Sequence, residues 1–407
     1  MANEQRVWDL IVVGGGAAGF FGAANVAERY PEKTVIILEA STKVLSKVLV
    51  SGGGRCNVTH ACFDNAELVL NYPRGEKEMR GPFSRFSTGD CFAWFEEHGV
   101  SLKIESDNRA FPESNSSQTI ADCLYQTAVK HGVQVELSSP VEAIDRNADV
   151  WELSSRGKAF RGKNILWATG SKPSSYKILE TLGVNCVERV PSLFSFNLKD
   201  PQLVKLAGIS VPYASCLISK SKFESHGPLL ITHWGLSGPC ILKLSAFAAR
   251  HVRTVNYKFN IEVNWLNQSK EELFDHIWNW AEERPNQKIS NPVFPELPKR
   301  LWKYFLACSK LNEDTNWQDM SKQQVLHLCE ILSEQQFSVD GKTTYKEEFV
   351  TAGGIALTEV NLKTMELKNF PKFYVAGEVM DVDAVTGGFN FQHAWTSSWI
   401  AAQNIFS

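Results

Sequence analysis

The chain has 407 residues, 43% of them hydrophobic and 21% charged, with 42 lysines and arginines against 45 acidic residues. These proportions exclude a disordered chain, a collagen-like repeat and a coiled coil, and the length predicts two or three domains around ample apolar core. A formal net charge of −3 gives no electrostatic ground for expecting a nucleic acid or an anionic membrane as partner.

The nine cysteines are odd in number, scattered and without a C-x-x-C pair. That distribution predicts reduced thiols and a cytoplasmic location rather than a disulfide framework. Leu10 to Ala27 carries no charge over eighteen residues, long enough to raise a membrane span or a signal peptide. Asp9 at its mouth, Arg6 as its one basic flank and five glycines inside it argue for a strand, a tight turn and a helix instead.

In that reading Trp8 to Val13 is a strand buried on both faces. Gly14, Gly16 and Gly19 then form G-x-G-x-x-G, with Ala17 and Ala18 inside it, and Phe20 to Tyr30 continues as a helix. Thr34 to Leu38 is a second strand ending at Glu39, twenty residues past Gly19. The glycines let main chain approach a pyrophosphate, the helix N-terminus offers unpaired N–H groups and positive dipole, and Glu39 is placed to accept from a ribose. This unit alone leaves FAD and NAD equally open.

A second glycine run follows Lys47: Ser51, Gly52, Gly53, Gly54, Arg55 and Cys56. Its main chain can lie against a flat ring or a phosphate, and Arg55 can pair with an anion. Asn164 to Gly170 reads as a hydrophobic strand ending in Ala168, Thr169 and Gly170. Phe373 to Glu378 reads as another, leading through Gly377 and Asp381 to Gly387, Gly388, Phe389 and Asn390. A helix over Ala394 to Phe406 would set those glycines near its N-terminus, where positive dipole suits a negatively charged ring edge. The middle of the chain has a different texture. Val255 to Asn264 alternates with period two, as a half-buried antiparallel strand does. Leu193 to Leu198 and Ile209 to Ser219 are further strand candidates, and residues 269 to about 336 turn helical with proline punctuation.

Taken in order, SGGGRCNVTH (51–60), NRAFPES (108–114), THWGLSGPCIL (232–242), TAGGI (351–355) and AGEVMDVDAVTGGFNFQHAW (376–395) resemble a bacterial FAD-dependent oxidoreductase family of the two-dinucleotide type, which includes aminoacetone oxidase and a bile-acid enone reductase. Departures from the family pattern are His60, Ser171 and the Phe389-Asn390-Phe391-Gln392 run. The resemblance implies an α/β fold: a Rossmann-like FAD-binding domain split over 1–191 and 351–407, a β-rich insert over 192–268 and 337–350, and a helical cap over 269–336. It implies FAD held by the two glycine runs, Glu39, Lys47, Val141, Ala168 to Gly170, Glu378, Asp381 and Gly387 to Asn390.

The expected reaction is hydride transfer between flavin and a small organic substrate, as an amine or alcohol oxidase or as an NAD(P)H-dependent enone reductase. TAGGI and AGEV also resemble fumarate-reductase-type flavoproteins, which keeps the reductase open, while the sequence has no second G-x-G-x-x-G for a separate nicotinamide domain, which favours the oxidase or a donor that docks transiently. His233 is the candidate proton donor and Arg109 the candidate substrate contact. No metal site is expected, because no cluster has ligand spacing. Two alternatives are a flavoprotein acting on tRNA or sensing redox state, and a thiol–disulfide enzyme using Cys56, which with Cys62 forms only C-x5-C. No membrane partner is expected, and the oligomeric state is open.

Overall fold

The computed structural model describes residues 6–343 and 350–407. Two compact units divide the chain, Met1–Val190 with Lys346–Ser407 and Pro191–Tyr345. The first is built on a parallel sheet. Strand β1 (Val7–Val13) leads through the glycine turn into helix α1 (Ala17–Arg29), then β2 (Val35–Leu38), and β3 (Lys158–Trp167) lies on the other side of β1. Gln134–Glu136 extends the sheet beside β2, and Phe373–Val375 extends it beside β3, both in parallel.

The segment with no charge is therefore β1, the turn and most of α1, and no helix among the described residues is long and apolar enough to cross a membrane. The sheet is apolar on both faces because helices cover it: Leu10, Ile11, Val12, Ile37, Ile165 and Leu166 are buried. α1 and the C-terminal helix Phe389–Asn404 pack together, and Gly22 makes room for Leu166, which a Cβ there would meet at 2.5 Å. A small antiparallel sheet joins Thr59–His60, Arg109–Pro112 and Leu102–Ile104.

The second unit is a closed antiparallel barrel. Its strands are β4 (Ser195–Leu198), β5 (Ser210–Ile218), β6 (Glu224–Thr232), β7 (Gly235–Ser237), β8 (Lys258–Asn264) and β9 (Gln335–Thr343), in the order β4-β7-β6-β5-β8-β9 with β9 returning to β4. Helix α2 (Pro239–Thr254) lies between β7 and β8 in the chain and packs on β6 and β5. Three more helices, Lys270–Glu283, Lys299–Cys308 and Lys322–Ser333, separate β8 from β9. They share one apolar core with the barrel, in which Trp265, Ile277, Trp302, Phe305 and Phe337 are buried together.

Several boundaries differ from the sequence reading: the C-terminal helix starts at Phe389, not Ala394, β3 starts at Lys158, not Asn164, and two more differ in the second unit. The alternating strand begins at Lys258, not Val255. Helix α2 runs on to Thr254, Asn256 and Tyr257 take left-handed φ of 52° and 57°, and the Tyr257 amide donates back to the Val252 carbonyl. That is a helix C-terminal closure, whose polar residues imitate strand alternation. The helical stretch also stops at Ser333, because Gln335 and Gln336 already pair with Val263 and Glu262.

Candidate functional site

Each glycine of the first turn has a separate reason to be glycine. Gly14 has φ 107°, and a Cβ on it would lie 2.5 Å from the Ala168 carbonyl oxygen, so the turn rests directly on the end of β3. A Cβ on Gly19 would lie 1.9 Å from the Gly14 carbonyl oxygen. Gly16 is different: nothing stands within 4 Å of its Cβ position, and it is the N-cap of α1 with no side chain capping the helix. Open space at an uncapped helix N-terminus suits an anionic pyrophosphate.

Glu39 sits beside this turn. Its Oε2 accepts from the Gly15 amide at 2.8 Å and its Oε1 from the Ser41 amide at 2.7 Å, so both carboxylate oxygens are fixed by main chain. A cleft opens at the C-terminal ends of β1, β2 and β3, where dinucleotides bind in such sheets. Gly14, Glu39, Val141, Thr169, Lys172 and Ser174 are among its walls. Lys172 and Ser174 were not anticipated. They belong to the turn after β3 and the first turn of the next helix, and no motif marks them.

The C-terminal segment closes on the same turn. Gly377, at φ 75°, leaves only 2.9 Å between a would-be Cβ and the Ala18 Cβ. Glu378 accepts from Lys47 Nζ at 2.6 Å, which ties the residue before the second glycine run to the strand end 331 positions later. A Cβ on Gly170 would lie 3.5 Å from the Glu378 carboxylate. Lys47, Gly170, Gly377 and Glu378 thus meet at one place, next to Gly14 and Ala18.

The residues after the second glycine run, Asn57 to His60, meet the C-terminal helix. Gly388 is the N-cap of that helix at φ 96°, again with no capping side chain. A Cβ on it would lie 2.5 Å from the Thr59 carbonyl carbon and 2.8 Å from Asn57 Oδ1. That Asn57 oxygen is buried and has no hydrogen-bond partner among the described residues. His60 stacks on Phe389 with ring centroids 4.5 Å apart, and its Nδ1 lies 3.1 Å from the Gly387 carbonyl oxygen. Burial lowers the His60 pKa despite that contact. Trp395 Nε1 donates to the Val58 carbonyl, Tyr72 Oη to the Phe389 carbonyl, and Asn390 spans the Ala384 amide and carbonyl. Gly53 and Gly54, at φ 67° and 82°, face open space.

An uncapped helix end, an unsatisfied buried oxygen and bare glycine backbone suit a ligand that brings its own hydrogen-bonding groups. Among the described residues no group of His, Cys, Asp and Glu could hold a metal ion.

Three expected residues have a different setting. Cys56 is buried, and burial pushes its thiol up to about 12 despite the Ser51 hydrogen bond, so it is a protonated packing group. All nine cysteines are free. Arg109 donates to Asp107 at 2.6 Å and lies 3.5 Å from Glu105, which also takes Arg55 at 2.6 Å. Both arginines lie over the Phe111 ring, so their charge is already matched within the small sheet. His233 belongs to the second unit, exposed in the tight turn between β6 and β7.

His393, which the sequence ranks below His233 as a proton donor, and the Arg74–Asp383 pair, which no motif marks, are both buried in the first unit. His393 is fully buried, its Nε2 is 3.2 Å from the Gly377 carbonyl oxygen, and desolvation lowers its pKa to about 4. Arg74 Nε donates to Asp383 Oδ1 at 2.5 Å in an almost fully buried pair. Only the folded chain brings these partners together, 309 residues apart.

Comparison with known proteins agrees with this architecture. The chain is 28% identical over 413 positions to the ribosomal RNA dihydrouridine synthase of Escherichia coli K12, covering 98% of each. It is 23% identical to the 3-dehydro-bile acid delta(4,6)-reductase of Clostridium scindens, covering 96% of this chain and 97% of that one. The 3-ketosteroid delta1-dehydrogenase of Sterolibacterium denitrificans superposes with a TM-score of 0.54 at 10% identity, over 98% of this chain and 99% of that one, a likeness of fold. The profile of the HI0933-like protein Rossmann domain matches residues 8–404. With nearly every residue inside that match, the chain belongs to the HI0933-like family and is an enzyme of the FAD-dependent oxidoreductase class.

Proposed function

We propose that this enzyme reduces a carbon–carbon double bond conjugated to a carbonyl, and that its substrate is a uridine base in ribosomal RNA. The observation that carries this reading is the pair of full-length relatives. A dihydrouridine synthase adds two hydrogens across C5=C6 of uracil, which is conjugated to the C4 carbonyl. A delta(4,6)-reductase adds two hydrogens to a dienone. The reaction type is common to both names, and the stronger match is the RNA enzyme. The expectation of no nucleic-acid partner rested on the near-neutral net charge and on the absence of a basic aromatic patch in the sequence, and it has no support among these relatives. An RNA-modifying flavoprotein, one of the alternatives read from the sequence, takes its place.

Bound FAD would supply the hydride for C6, with the matching proton reaching C5 from solvent, and would itself be reduced by NAD(P)H, which leaves as NAD(P)⁺. The chain's own residues do the rest. Gly16 and Glu39 hold the ADP half, on a turn that Gly14 and Gly19 allow to close. Lys47, Glu378 and Gly170 line its middle. Gly388 and the helix behind it direct positive dipole toward the ring edge, which favours negative charge there. Asn57 Oδ1 accepts a hydrogen bond from the ligand that its protein surroundings do not supply. A substrate inside ribosomal RNA and nine reduced thiols fit a cytoplasmic enzyme.

Anaerobic mixing of the NADPH-reduced holoenzyme with unmodified ribosomal RNA tests the assignment. Return of absorbance near ~450 nm with RNA, and not with a steroid dienone, supports it. The opposite pattern supports a small-molecule enone reductase, the reading the bile-acid relative favours.

A further inference from the structure

The near-neutral total hides a strong asymmetry. Between Ser195 and Asn264 the chain carries eight lysines and arginines against three acidic residues, while the remainder carries 34 against 42. That segment is β4 to β8 with α2, so its excess charge lies on the barrel and the helix packed on it. Two of the three acids are hydrogen-bonded by neutral donors, Asp200 by Tyr304 Oη and Glu262 by Gln336 Nε2 of the adjacent strand β9. Glu224, exposed at the start of β6, and Glu262, which pairs across from Leu217 of β5, are the acids beside the hairpin among the described residues.

Lys199 and Lys258 pair with Asp340 of β9, and four of the other cations gather on one face. On α2, Lys243, Phe247 and Arg250 follow at four- and three-residue spacing, so they form one stripe, on the side away from the buried Leu244, Ala248 and Val252. Phe247 is 36% exposed within that stripe. His251, one turn beyond Phe247, packs against Phe223 with ring centroids 5.3 Å apart. Phe223 is at the tip of the β5–β6 hairpin, which carries exposed Lys220 and Lys222. The hairpin tip and the helix stripe are therefore continuous. Cations in the last turn of α2 offset its negative dipole end, but that explanation does not reach Lys243 or the hairpin lysines.

We infer that this face of α2 and the β5–β6 hairpin binds the sugar–phosphate backbone of the RNA substrate, with Phe247 offering a ring for an unpaired base. The inference rests on the proposed RNA substrate and adds where that RNA is held. Lysines spaced along a surface neutralise phosphates by counterion release, and an exposed aromatic among them stacks bases of any sequence.

Fluorescence anisotropy with a fluorescein-labelled, uridine-containing RNA hairpin, titrated with the FAD-loaded full chain at several salt concentrations, tests it. The triple variant K220E/K222E/K243E should bind at least about tenfold more weakly and lose about two from the salt-dependence slope, with flavin content and melting temperature unchanged. Phe247→Ala should weaken binding about fivefold with the slope unchanged. A second triple variant, K299E/K310E/K322E, makes the same charge change on the helical part and should bind like the parent. Equal losses in both triples, or none in the first, would overturn the surface. So would lysine-dependent binding to phosphatidylglycerol vesicles with none to RNA. If the parent reduces RNA while the first triple binds it normally, the surface falls and the substrate reading stands. If lysine-dependent RNA binding occurs with no reduction of RNA, the surface stands and the substrate reading falls.

Discussion

The Cβ position of Gly19 lies 1.9 Å from the carbonyl oxygen of Gly14, while that of Gly16, three residues earlier, faces nothing within 4 Å. The two glycines therefore separate packing from ligand binding. Gly19→Ala forces the first turn of α1 off β1 and should lower both the melting temperature and flavin content. Gly16→Ala, at φ −91°, fits the apoprotein and should leave its stability unchanged or raise it by up to about 1 kcal/mol. The same methyl occupies the space assigned to the pyrophosphate, so FAD affinity should fall at least about tenfold, which is about 1.4 kcal/mol. Flavin titration beside thermal melting of apoprotein checks the pair. A Gly16→Ala variant that binds FAD normally would move the cradle elsewhere.

His393 gives the fold an acid limit. Burial holds it neutral with a pKa near 4, against 6.5 in the unfolded chain. As pH falls below 6.5 the unfolded chain takes the proton first. The stability tied to the neutral ring is thus complete above pH 6.5 and is lost progressively toward pH 4, by about 3 kcal/mol. Urea unfolding at pH 7 and pH 5 should show this loss, and His393→Gln should flatten it. A parent and variant with parallel pH curves would show that His393 does not set the limit.

Asp383 is fully buried against Arg74. Removing one partner leaves the other charge in the interior, so Asp383→Ala should destabilise the first unit by about 3–5 kcal/mol. Chemical denaturation measures it. A loss below about 1 kcal/mol would mean that Arg74 finds a new anion or reaches water.

Cys56 should be chemically quiet. With its thiol pushed up to about 12, iodoacetamide at pH 8 should label half-buried Cys62, Cys186 and Cys308 well before it. Cys56→Ser should keep NAD(P)H-dependent flavin reduction within about threefold, since no thiolate is used. Loss of turnover with flavin retained would restore a thiol role.

Much of the first unit was legible because its signals are local. Gly14 to Gly19, the strand before and Glu39 after lie within about thirty residues, and each residue type answers a backbone or charge demand at its own position. The contacts that complete the site are not local: Gly388 against Thr59, Lys47 on Glu378, Arg74 on Asp383. Glycine runs at 52–54 and 387–388 signalled that main chain approaches something, but not that Gly388 lies against Asn57 and Thr59. Lys172 and Ser174 had no motif at all. In the second unit, α2 was passed over although Gly238 and Pro239 mark a helix start, because Thr232 to Leu242 reads as one motif across a hairpin and a helix. The charge asymmetry was also in the sequence. It emerges only when residues are counted by element, since the acidic first unit cancels the basic barrel in the total.

Nucleoside mass spectrometry decides whether this enzyme reduces uridine in RNA. Unmodified ribosomal RNA is incubated anaerobically with the FAD-loaded enzyme and NADPH, then digested to nucleosides. The account predicts a uridine product heavier by two hydrogens, formed only when enzyme and NADPH are both present and reduced at least tenfold in the Gly16→Ala variant. Ribosomal RNA that returns unchanged while the flavin turns over on a steroid dienone would contradict it.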